Sequence, residues 1–179
     1  MDHRNLVRVS KQMSLALRHR PERFGLTPDR AGWVPVAALL AALRIDRAQL
    51  DEVVADNDKQ RFAVEPGPDG VDRIRANQGH SIEVDLGLTP IPPPDRLYHG
   101  TSAAVVPAIM TEGLRRGGRH HVHLSADTET ARRVGARRGG AVAILTVDAA
   151  AMARDGHLFF RSANGVWLAD AVPAAYLRG

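Results

Sequence analysis

A proline cluster constrains the possible folds of this chain more than any other feature. Four prolines lie within five residues: Pro90, Pro92, Pro93 and Pro94. Proline fixes φ and lacks an N–H, so such a run forms a stiff, extended connector. The chain has 179 residues, which is enough for two small domains, each with its own core. The sequence therefore predicts a first lobe over residues 1–85, a Pro-rich linker over 86–96 and a second lobe over 97–179.

The first lobe is predicted to contain three helices followed by a β-hairpin. The predicted helices cover residues 5–20, Val36–Leu43 and a stretch from Asp46, as N-cap, to about Asp56. Two segments of alternating polar and apolar residues then flank a turn rich in Pro and Gly. This pattern predicts paired strands over Arg61–Val64 and Val71–Arg75. Trp33-Val34 is a short extended piece. Three helices followed by a two-stranded wing form a winged-helix arrangement.

The second lobe is predicted to be mixed, with more strand than helix, so that the fold class is α+β. The predicted strands are Leu97–His99, His121–Leu124, Ala141–Val147, Leu158–Phe160 and Val166–Leu168. Short helices are expected near Ala103–Glu112 and near Thr128–Ala136, the latter with Asp127 as its cap. The lobe contains neither GxGxxG nor a Walker loop, so both of these nucleotide-binding motifs are excluded.

Composition excludes several classes of protein. The chain has no cysteine, which rules out disulfides and thiolate metal sites. It has no run of about 18 apolar residues, the length that a membrane-spanning helix needs. Its N-terminus, Met1-Asp2-His3-Arg4, lacks the apolar core of a secretory signal. We therefore expect a cytoplasmic protein with no membrane partner, and nothing in the pattern suggests anything other than a monomer.

The positive charge is carried almost entirely by arginine. Of the 24 Lys and Arg residues only Lys11 and Lys59 are lysines, and the net charge is +4. Arginine suits forked contacts to phosphate, although a GC-rich genome would also favour it over lysine. From Arg115 to Arg138 the chain has seven arginines and three histidines against two acids, Asp127 and Glu129. This distribution indicates a polyanionic partner more strongly than the net charge does.

Two polar segments follow predicted strands. Arg75-Ala76-Asn77-Gln78-Gly79-His80-Ser81 contains almost nothing that can build a core, and Leu97-Tyr98-His99-Gly100-Thr101-Ser102 is the second such segment. Polar loops of this kind carry binding residues, although many are simply solvated. We expect the two segments to form opposite walls of one cleft between the lobes.

Histidines in the second lobe fit two kinds of binding site, one for a metal ion and one for a sugar. His99 precedes Gly100, which permits close backbone approach to a ligand, and Thr101, whose hydroxyl can bind sugar or phosphate. His121 and His123 lie two residues apart on one predicted strand. No carboxylate or cysteine stands at a useful spacing for a metal site, so we favour hydrogen bonds to ribose hydroxyls.

An ordered set of motifs runs along nearly the whole chain. The motifs are Ser10-Lys11, Ser14-Leu15, Leu17-Arg18-His19, Pro21, Gly32-Trp33, Asp58-Lys59-Gln60-Arg61-Phe62, Arg73 to Ser81, Leu97 to Thr101, His121-Val122-His123-Leu124, Gly135-Ala136-Arg137 and Asn164-Gly165-Val166-Trp167-Leu168. Each motif alone is weak, but the ordered set is highly specific. With these motifs the sequence resembles the NAD-dependent RNA 2′-phosphotransferases, whose best-known member completes tRNA splicing.

The resemblance implies a fold, a reaction and a set of functional residues. The fold is a winged-helix RNA lobe followed by a lobe like that of the ADP-ribosyltransferases. The reaction transfers an internal RNA 2′-phosphate to NAD, through an ADP-ribosylated RNA phosphate, and gives 2′-OH RNA, ADP-ribose 1″,2″-cyclic phosphate and nicotinamide. No metal is required. The implied catalytic residues are Arg18, His19, Arg61 and Arg137. The expected NAD contacts are His99, Gly100, Thr101, His123, Ser125 and Asn164, and the expected RNA contacts are Lys11, Arg75, Asn77, Gln78 and His80.

The chemistry agrees with these residue types. An anionic 2′-phosphate needs no strong base to attack a ribose carbon, so the main task is to hold and orient it. Forked guanidiniums of Arg18 and Arg61 suit this task, and Arg137 would stabilise charge on the phosphoryl oxygens in the second step. His19 can serve as a hydrogen-bonding or acid–base group. Arg138 adjoins Arg137, and only the spacing from Gly135 favours Arg137.

Three other functions stay open at this point. An ADP-ribosyltransferase that caps nucleic-acid phosphate ends would stop after the first step. A non-enzymatic winged-helix nucleic-acid binder would explain the first lobe but not residues 98–102 and 121–125. A protein ADP-ribosyltransferase would need the glutamate that many of those enzymes carry, and the corresponding position near Val166 has no acid.

Overall fold

The chain forms two compact units, each with its own hydrophobic core. A computed structural model describes residues 2–56 and 60–179. The division between the units falls between Gly87 and Leu88. Residues 83–94, which include the proline cluster, form neither helix nor strand. Asp58 and Lys59, which belong to one of the motifs given above, lie outside the described residues.

The first helix, α1 (His3–Arg18), begins and ends for identifiable reasons. The Asp2 side chain accepts a hydrogen bond from the Asn5 N–H and caps the N-terminus. The residues that the helix buries follow a three- and four-residue spacing: Val9, Met13, Ala16 and Leu17. The helix ends two residues earlier than predicted, so that Arg18 is its last residue and His19 its C-cap.

Helices α2 (Val36–Leu43) and α3 (Arg47–Ala55) confirm their predictions. The α2 helix ends at Leu43, and its C-cap residue Arg44 adopts a left-handed conformation with φ 51°. The α3 helix begins with a capping box, in which Asp46 and Gln49 each accept a backbone hydrogen bond from the other. Its apolar side chains Leu50 and Val53 enter the core of the first unit.

A three-stranded antiparallel sheet completes the first unit. Its strands are β1 (Val34–Pro35), β2 (Phe62–Pro66) and β3 (Asp72–Ala76), in the order β1-β3-β2. The predicted hairpin is confirmed, with Val64 paired to Ile74, but each strand is shifted by one residue at its N-terminal end. Arg61 therefore lies just before β2 rather than within it.

The second unit contains eight short strands and three α-helices. The strands are β4 (Arg96–Ser102), β5 (Leu114–Arg115), β6 (Val122–Leu124), β7 (Val142–Asp148), β8 (Phe159–Arg161), β9 (Trp167–Ala169), β10 (Ala171–Val172) and β11 (Leu177–Arg178). The helices are α4 (Val106–Glu112), α5 (Thr128–Ala136) and α6 (Ala149–Arg154). The strands form three antiparallel sheets: β11-β7-β4, β6-β9-β8 and β10-β5. All five predicted strands are present, although β6, β7, β8 and β9 each begin one residue later than predicted.

Glycines allow α5 to pack closely on β4. A Cβ on Gly100 would lie only 1.6 Å from the carbonyl oxygen of Ala131, which is a direct overlap with the α5 backbone. A Cβ on Gly135 would lie 2.9 Å from the backbone nitrogen of Thr101. The close approach of helix and strand therefore requires glycine at both positions.

Within the described residues, the helices are all too short or too polar to cross a membrane.

Candidate functional site

The predicted functional residues occur in both units, and each group is described within its own unit. The first group lies at the end of α1, before β2 and in the segment that follows β3. The second group lies on β4 and β6 and near the end of α5.

The end of α1 is bound to residues that follow β3. The Arg18 carbonyl accepts hydrogen bonds from the Ser81 N–H (2.9 Å) and the Ile82 N–H (3.3 Å). Carbonyls in the last turn of a helix have no partner within the helix, so these bonds act as a C-terminal cap. The Ser81 hydroxyl also lies 2.9 Å from Nδ1 of His19. Residues 81 and 82 thus fix the backbone of Arg18 and the side chain of His19.

Arg61 is bound to the same loop through its backbone. Its carbonyl accepts a hydrogen bond from the Asn77 N–H at 2.9 Å, and the Asn77 side-chain amide donates to the Gln60 carbonyl. The Arg61 guanidinium donates to the Ser10 hydroxyl at 3.4 Å. Ser10 lies about two turns before Arg18 on α1. We call residues 77–82 the β3 exit loop. This loop is hydrogen-bonded to Arg61, which precedes the hairpin, and to Arg18 and His19 at the end of α1.

Three polar atoms near the start of this loop are buried without a hydrogen-bond partner in residues 2–56 and 60–179. They are Nε of Arg75, Oδ1 of Asn77 and Oε1 of Gln78. A buried polar group that lacks a partner costs about 1–3 kcal/mol. Asn77 is 6% exposed and His80 is 2% exposed, so both are part of the interior of the first unit. The loop thus contains the polar side chains that its sequence suggested, but those of Asn77 and His80 face the interior of the unit.

Arg75 packs against Trp33. Its guanidinium carbon lies 4.6 Å from the centroid of the Trp33 ring, and that of Arg73 lies 4.5 Å from the same centroid. Arg75 also donates to the Ala31 carbonyl at 3.2 Å, and burial lowers its pKa from the ordinary value. Both arginines form cation–π contacts with the indole. Lys11, the other basic residue predicted to contact RNA, lies on the exposed side of α1.

In the second unit, His99 has a defined hydrogen-bonding state. Its Nδ1 donates to the His123 carbonyl at 3.1 Å, because a carbonyl can only accept. Burial lowers the pKa of His99, and the positive charge of Arg138 lowers it further, whereas the bond to the carbonyl raises it. The neutral ring therefore carries its proton on Nδ1 and presents Nε2 as an acceptor.

His123 has the opposite tautomer. The Arg119 guanidinium lies 3.4 Å from Nδ1 of His123, and a guanidinium can only donate. Nδ1 of His123 must then accept, which leaves the proton of the neutral ring on Nε2. Neighbouring histidines on β4 and β6 thus have complementary tautomers, one suited to accept from a ligand hydroxyl and the other to donate to a ligand oxygen.

The remaining predicted NAD contacts also have structural partners. Gly100 gives α5 the space described above, and Thr101, at 4% exposure, is buried in β4. Ser125 exchanges two backbone hydrogen bonds with Tyr98, at 2.8 and 2.9 Å, and so joins the end of β6 to β4. Asn164 accepts a hydrogen bond from the Ser162 hydroxyl at 2.5 Å, in the turn between β8 and β9.

Arg137 and Arg138 lie at the end of α5. Arg137 is the C-cap of the helix and is exposed. Arg138 is close enough to His99 for its charge to lower the pKa of that histidine. Both positions therefore place a cation near the end of the helix.

Sequence reasoning did not assign a role to Ser81, Trp33 or Arg119. Ser81 was part of a polar run, but its contacts join residues more than 60 positions apart, and no local pattern indicates them. Arg119 stands four residues before His123, in a loop whose path the sequence does not predict. Trp33 lies 40 residues before Arg73, so its contacts with Arg73 and Arg75 depend on the packing of β1 against β3 and leave no local signal.

His121 is explained by packing. Its ring contacts the Phe160 ring with centroids 5.5 Å apart, and Asp170 lies 4.0 Å from its Nε2. In the described part of the chain, no group of three or more His, Cys, Asp or Glu side chains is arranged to hold a metal ion.

Fold and candidate residues together define a two-unit mixed α/β protein with arginine and histidine side chains suited to phosphate and sugar groups. Residues 4–171 match the family described as RNA 2′-phosphotransferase, Tpt1 / KptA family. A probable RNA 2′-phosphotransferase of Streptomyces griseus is 62% identical, over 99% of this chain and 98% of that protein. Proteins with the same description from Streptomyces coelicolor and Trichormus variabilis are 58% and 51% identical; each alignment covers 99% of this chain, with 97% of the first relative and 98% of the second. The chain belongs to the RNA 2′-phosphotransferase family.

Proposed function

We propose that this protein transfers an internal 2′-phosphate of RNA to NAD, giving 2′-OH RNA, ADP-ribose 1″,2″-cyclic phosphate and nicotinamide. Membership of the family supports the transfer of an RNA 2′-phosphate. The observation that carries the proposal is the β3 exit loop, which binds the backbone of both Arg18 and Arg61 and the side chain of His19. One loop thereby organises two cations and an imidazole, which are the groups that a phosphate dianion requires.

The two units suit separate parts of this task. We propose that the first unit is a winged-helix RNA-binding module, because three helices precede a β-hairpin that is joined by β1. We propose that the second unit is an ADP-ribosyltransferase-like NAD module, built from small antiparallel sheets with α5 packed on β4.

In the first unit, the guanidiniums of Arg18 and Arg61 would bind the 2′-phosphate. Arginine–phosphate pairs are charge-assisted and frequently bidentate, so they orient the phosphate as well as bind it. His19 would hydrogen-bond the phosphate or the RNA 2′-oxygen that leaves in the second step, and would supply the proton that this oxygen takes up. Lys11 and His80 are proposed to assist RNA binding from α1 and from the β3 exit loop.

The unsatisfied atoms at the start of the loop support RNA contact there. Oδ1 of Asn77 and Oε1 of Gln78 both accept hydrogen bonds, and Nε of Arg75 donates one. Ribose hydroxyls and base amino groups are donors that would satisfy the two oxygens. Because the atoms are buried, we expect RNA binding to be accompanied by a small local rearrangement of residues 75–78.

In the second unit, the tautomers of His99 and His123 fit the hydroxyls and oxygens of NAD. His99 would accept from a ribose hydroxyl, and His123 would donate to a ligand oxygen. Gly100, Thr101, Ser125 and Asn164 are proposed to complete this contact surface. When bound, NAD supplies an electrophilic ribose carbon with a good neutral leaving group. Arg137 is proposed to stabilise the charge that builds up on the phosphoryl oxygens.

A single-turnover reaction with radiolabelled 2′-phosphate RNA and NAD tests the proposal. We expect release of the cyclic phosphate together with 2′-OH RNA. Accumulation of ADP-ribosylated RNA would indicate an enzyme that caps phosphates and stops after the first step. Absence of NAD consumption would contradict the proposal and leave a nucleic-acid-binding protein.

Substitution of the arginines tests their roles. Arg18→Ala and Arg61→Ala are each expected to lower the rate of cyclic phosphate formation at least about 100-fold, because each removes a charge-assisted contact in a preorganised site. Arg8→Ala is the matched control, since Arg8 is an exposed arginine of α1 whose guanidinium bonds to Asn5 and Gln12 on the same helix. Unchanged turnover in either test variant would remove that residue from the mechanism.

A further inference from the structure

The Ser81 hydroxyl lies between the side chain of one catalytic candidate and the backbone of the other. Its Oγ is 2.9 Å from Nδ1 of His19 and 3.5 Å from the Arg18 carbonyl oxygen. The Ser81 N–H donates to the same carbonyl at 2.9 Å. Ser81 is thus bound by its backbone to the end of α1, and this bond keeps its hydroxyl beside the imidazole.

A hydroxyl at this place can serve an imidazole in both of its protonation states. Serine has one donor hydrogen and two acceptor lone pairs, and its hydrogen can rotate. When the ring is neutral with its proton on Nε2, the hydroxyl donates to Nδ1. When Nδ1 carries a proton, Oγ accepts from it and the hydroxyl hydrogen can turn to the Arg18 carbonyl. In each case Nδ1 stays bonded, and the orientation of the ring does not change.

We propose that Ser81 is a positioning residue for His19, which holds the imidazole by Nδ1 so that Nε2 is the nitrogen directed to the reacting phosphate. The part of this proposal that concerns the phosphate rests on the proposed function. The part that concerns the ring is independent of it. No proton passes from serine to substrate; the hydroxyl only rotates, and proton exchange takes place at Nε2 of His19.

Kinetics of two variants test the contribution to turnover. Ser81→Ala removes the hydroxyl but keeps the N–H that caps α1, so we expect the fold to be retained. The rate of single turnover should fall about 10- to 100-fold, a part of the 10²–10⁴-fold that a positioned acid–base group contributes. The apparent affinity for RNA should change less than this rate, because Ser81 is not proposed to touch the substrate. Ser81→Thr restores a hydroxyl at an exposed position and should recover most of the rate.

Thr111→Ala is the matched control for loss of a hydroxyl. Thr111 is exposed on α4, and its hydroxyl donates to the Pro107 carbonyl, outside both groups of candidate residues. We expect this variant to react at the wild-type rate. Wild-type turnover by Ser81→Ala, or failure of Ser81→Thr to recover any activity while it remains folded, would overturn the proposal.

Histidine NMR provides a measurement that does not depend on activity. In protein labelled with ¹⁵N-histidine, the His19 signals are assigned by their loss in His19→Gln. The Nδ1 shift of His19 is expected to change in Ser81→Ala and to return in Ser81→Thr, because the bond at Nδ1 is lost and restored. Identical His19 shifts in wild type and Ser81→Ala would overturn the contact. If the wild type makes no cyclic phosphate although these shifts change as expected, the proposed function fails and the contact stands.

Discussion

The two units hold their candidate residues by different means. In the first unit, Arg18 and His19 lie at the end of α1 and Arg61 lies just before β2, and hydrogen bonds from the β3 exit loop join them. In the second unit, His99 and His123 lie within paired strands. Strand β4 pairs with β7, and α5 packs closely against β4. A site held by a loop should depend on individual side chains of that loop. A site held by a sheet should depend on the backbone and on the space between elements.

The largest expected effect is in the second unit. Gly100→Ala would place a Cβ 1.6 Å from the Ala131 carbonyl oxygen, so α5 would have to move away from β4. Overpacking of this kind costs about 3 kcal/mol at the upper end of its usual range. Urea unfolding monitored by circular dichroism measures this loss.

The matched control is Gly118→Ala. A Cβ added to Gly118 would have no atom within 4 Å, and the residue does not have a positive φ, so its substitution should change the unfolding free energy by less than about 0.5 kcal/mol. Equal stability of the two variants would show that close packing of α5 does not hold the second site.

The next effect is in the first unit. Asn77→Ala removes the side-chain amide that donates to the Gln60 carbonyl, at a position where Asn77 is 6% exposed. The loss should be about 1 kcal/mol, because the variant loses one part-buried hydrogen bond. The measurement is again urea unfolding, with Asn5→Ala as the comparison, since the Asn5 side chain bonds to the exposed Arg8 on α1. A change of less than about 0.5 kcal/mol in Asn77→Ala would mean that the loop does not depend on this side chain.

The smallest effect concerns pH. Burial lowers the pKa of His99 below 6.5, so the folded protein binds fewer protons than the unfolded chain between 6.5 and that lower pKa. The stabilisation from neutral His99 is fully present above 6.5 and is lost as the pH falls through the folded pKa. His99→Asn keeps a donor for the His123 carbonyl but cannot titrate, so the unfolding free energy should depend less steeply on pH in this window. An unchanged slope would assign the pH dependence to other groups, of which His121 is one because burial also lowers its pKa.

Local signals predicted much of the fold. Asp46 and Asp127 marked the starts of α3 and α5 because an N-cap carboxylate is a short-range feature, and both side chains accept the expected backbone hydrogen bonds. The hairpin followed from alternation around a Pro- and Gly-rich turn. The strands that the sequence did not predict, β5, β10 and β11, have two residues each, which is too short for any periodicity.

Long-range contacts account for what the sequence could not supply at the candidate site. Gly100 was expected to admit a ligand, but the atoms nearest to a Cβ at this position belong to α5. The nearest is the carbonyl oxygen of Ala131, a residue 31 positions further along the chain. The contact of Ser81 with His19 joins positions 62 residues apart. Both depend on how elements pack, and neither leaves a pattern in neighbouring residues.

Hydrogen exchange of the β3 exit loop tests most directly the claim that this loop holds the first group of candidates. The Asn77 N–H donates to the Arg61 carbonyl and the Ser81 N–H to the Arg18 carbonyl, each at 2.9 Å. We therefore predict that both amides exchange at least about 100-fold more slowly than in an unfolded peptide, as bonded amides of a folded unit do. Exchange of both amides at the unfolded rate would contradict the account, because the loop could not then position Arg18, His19 and Arg61.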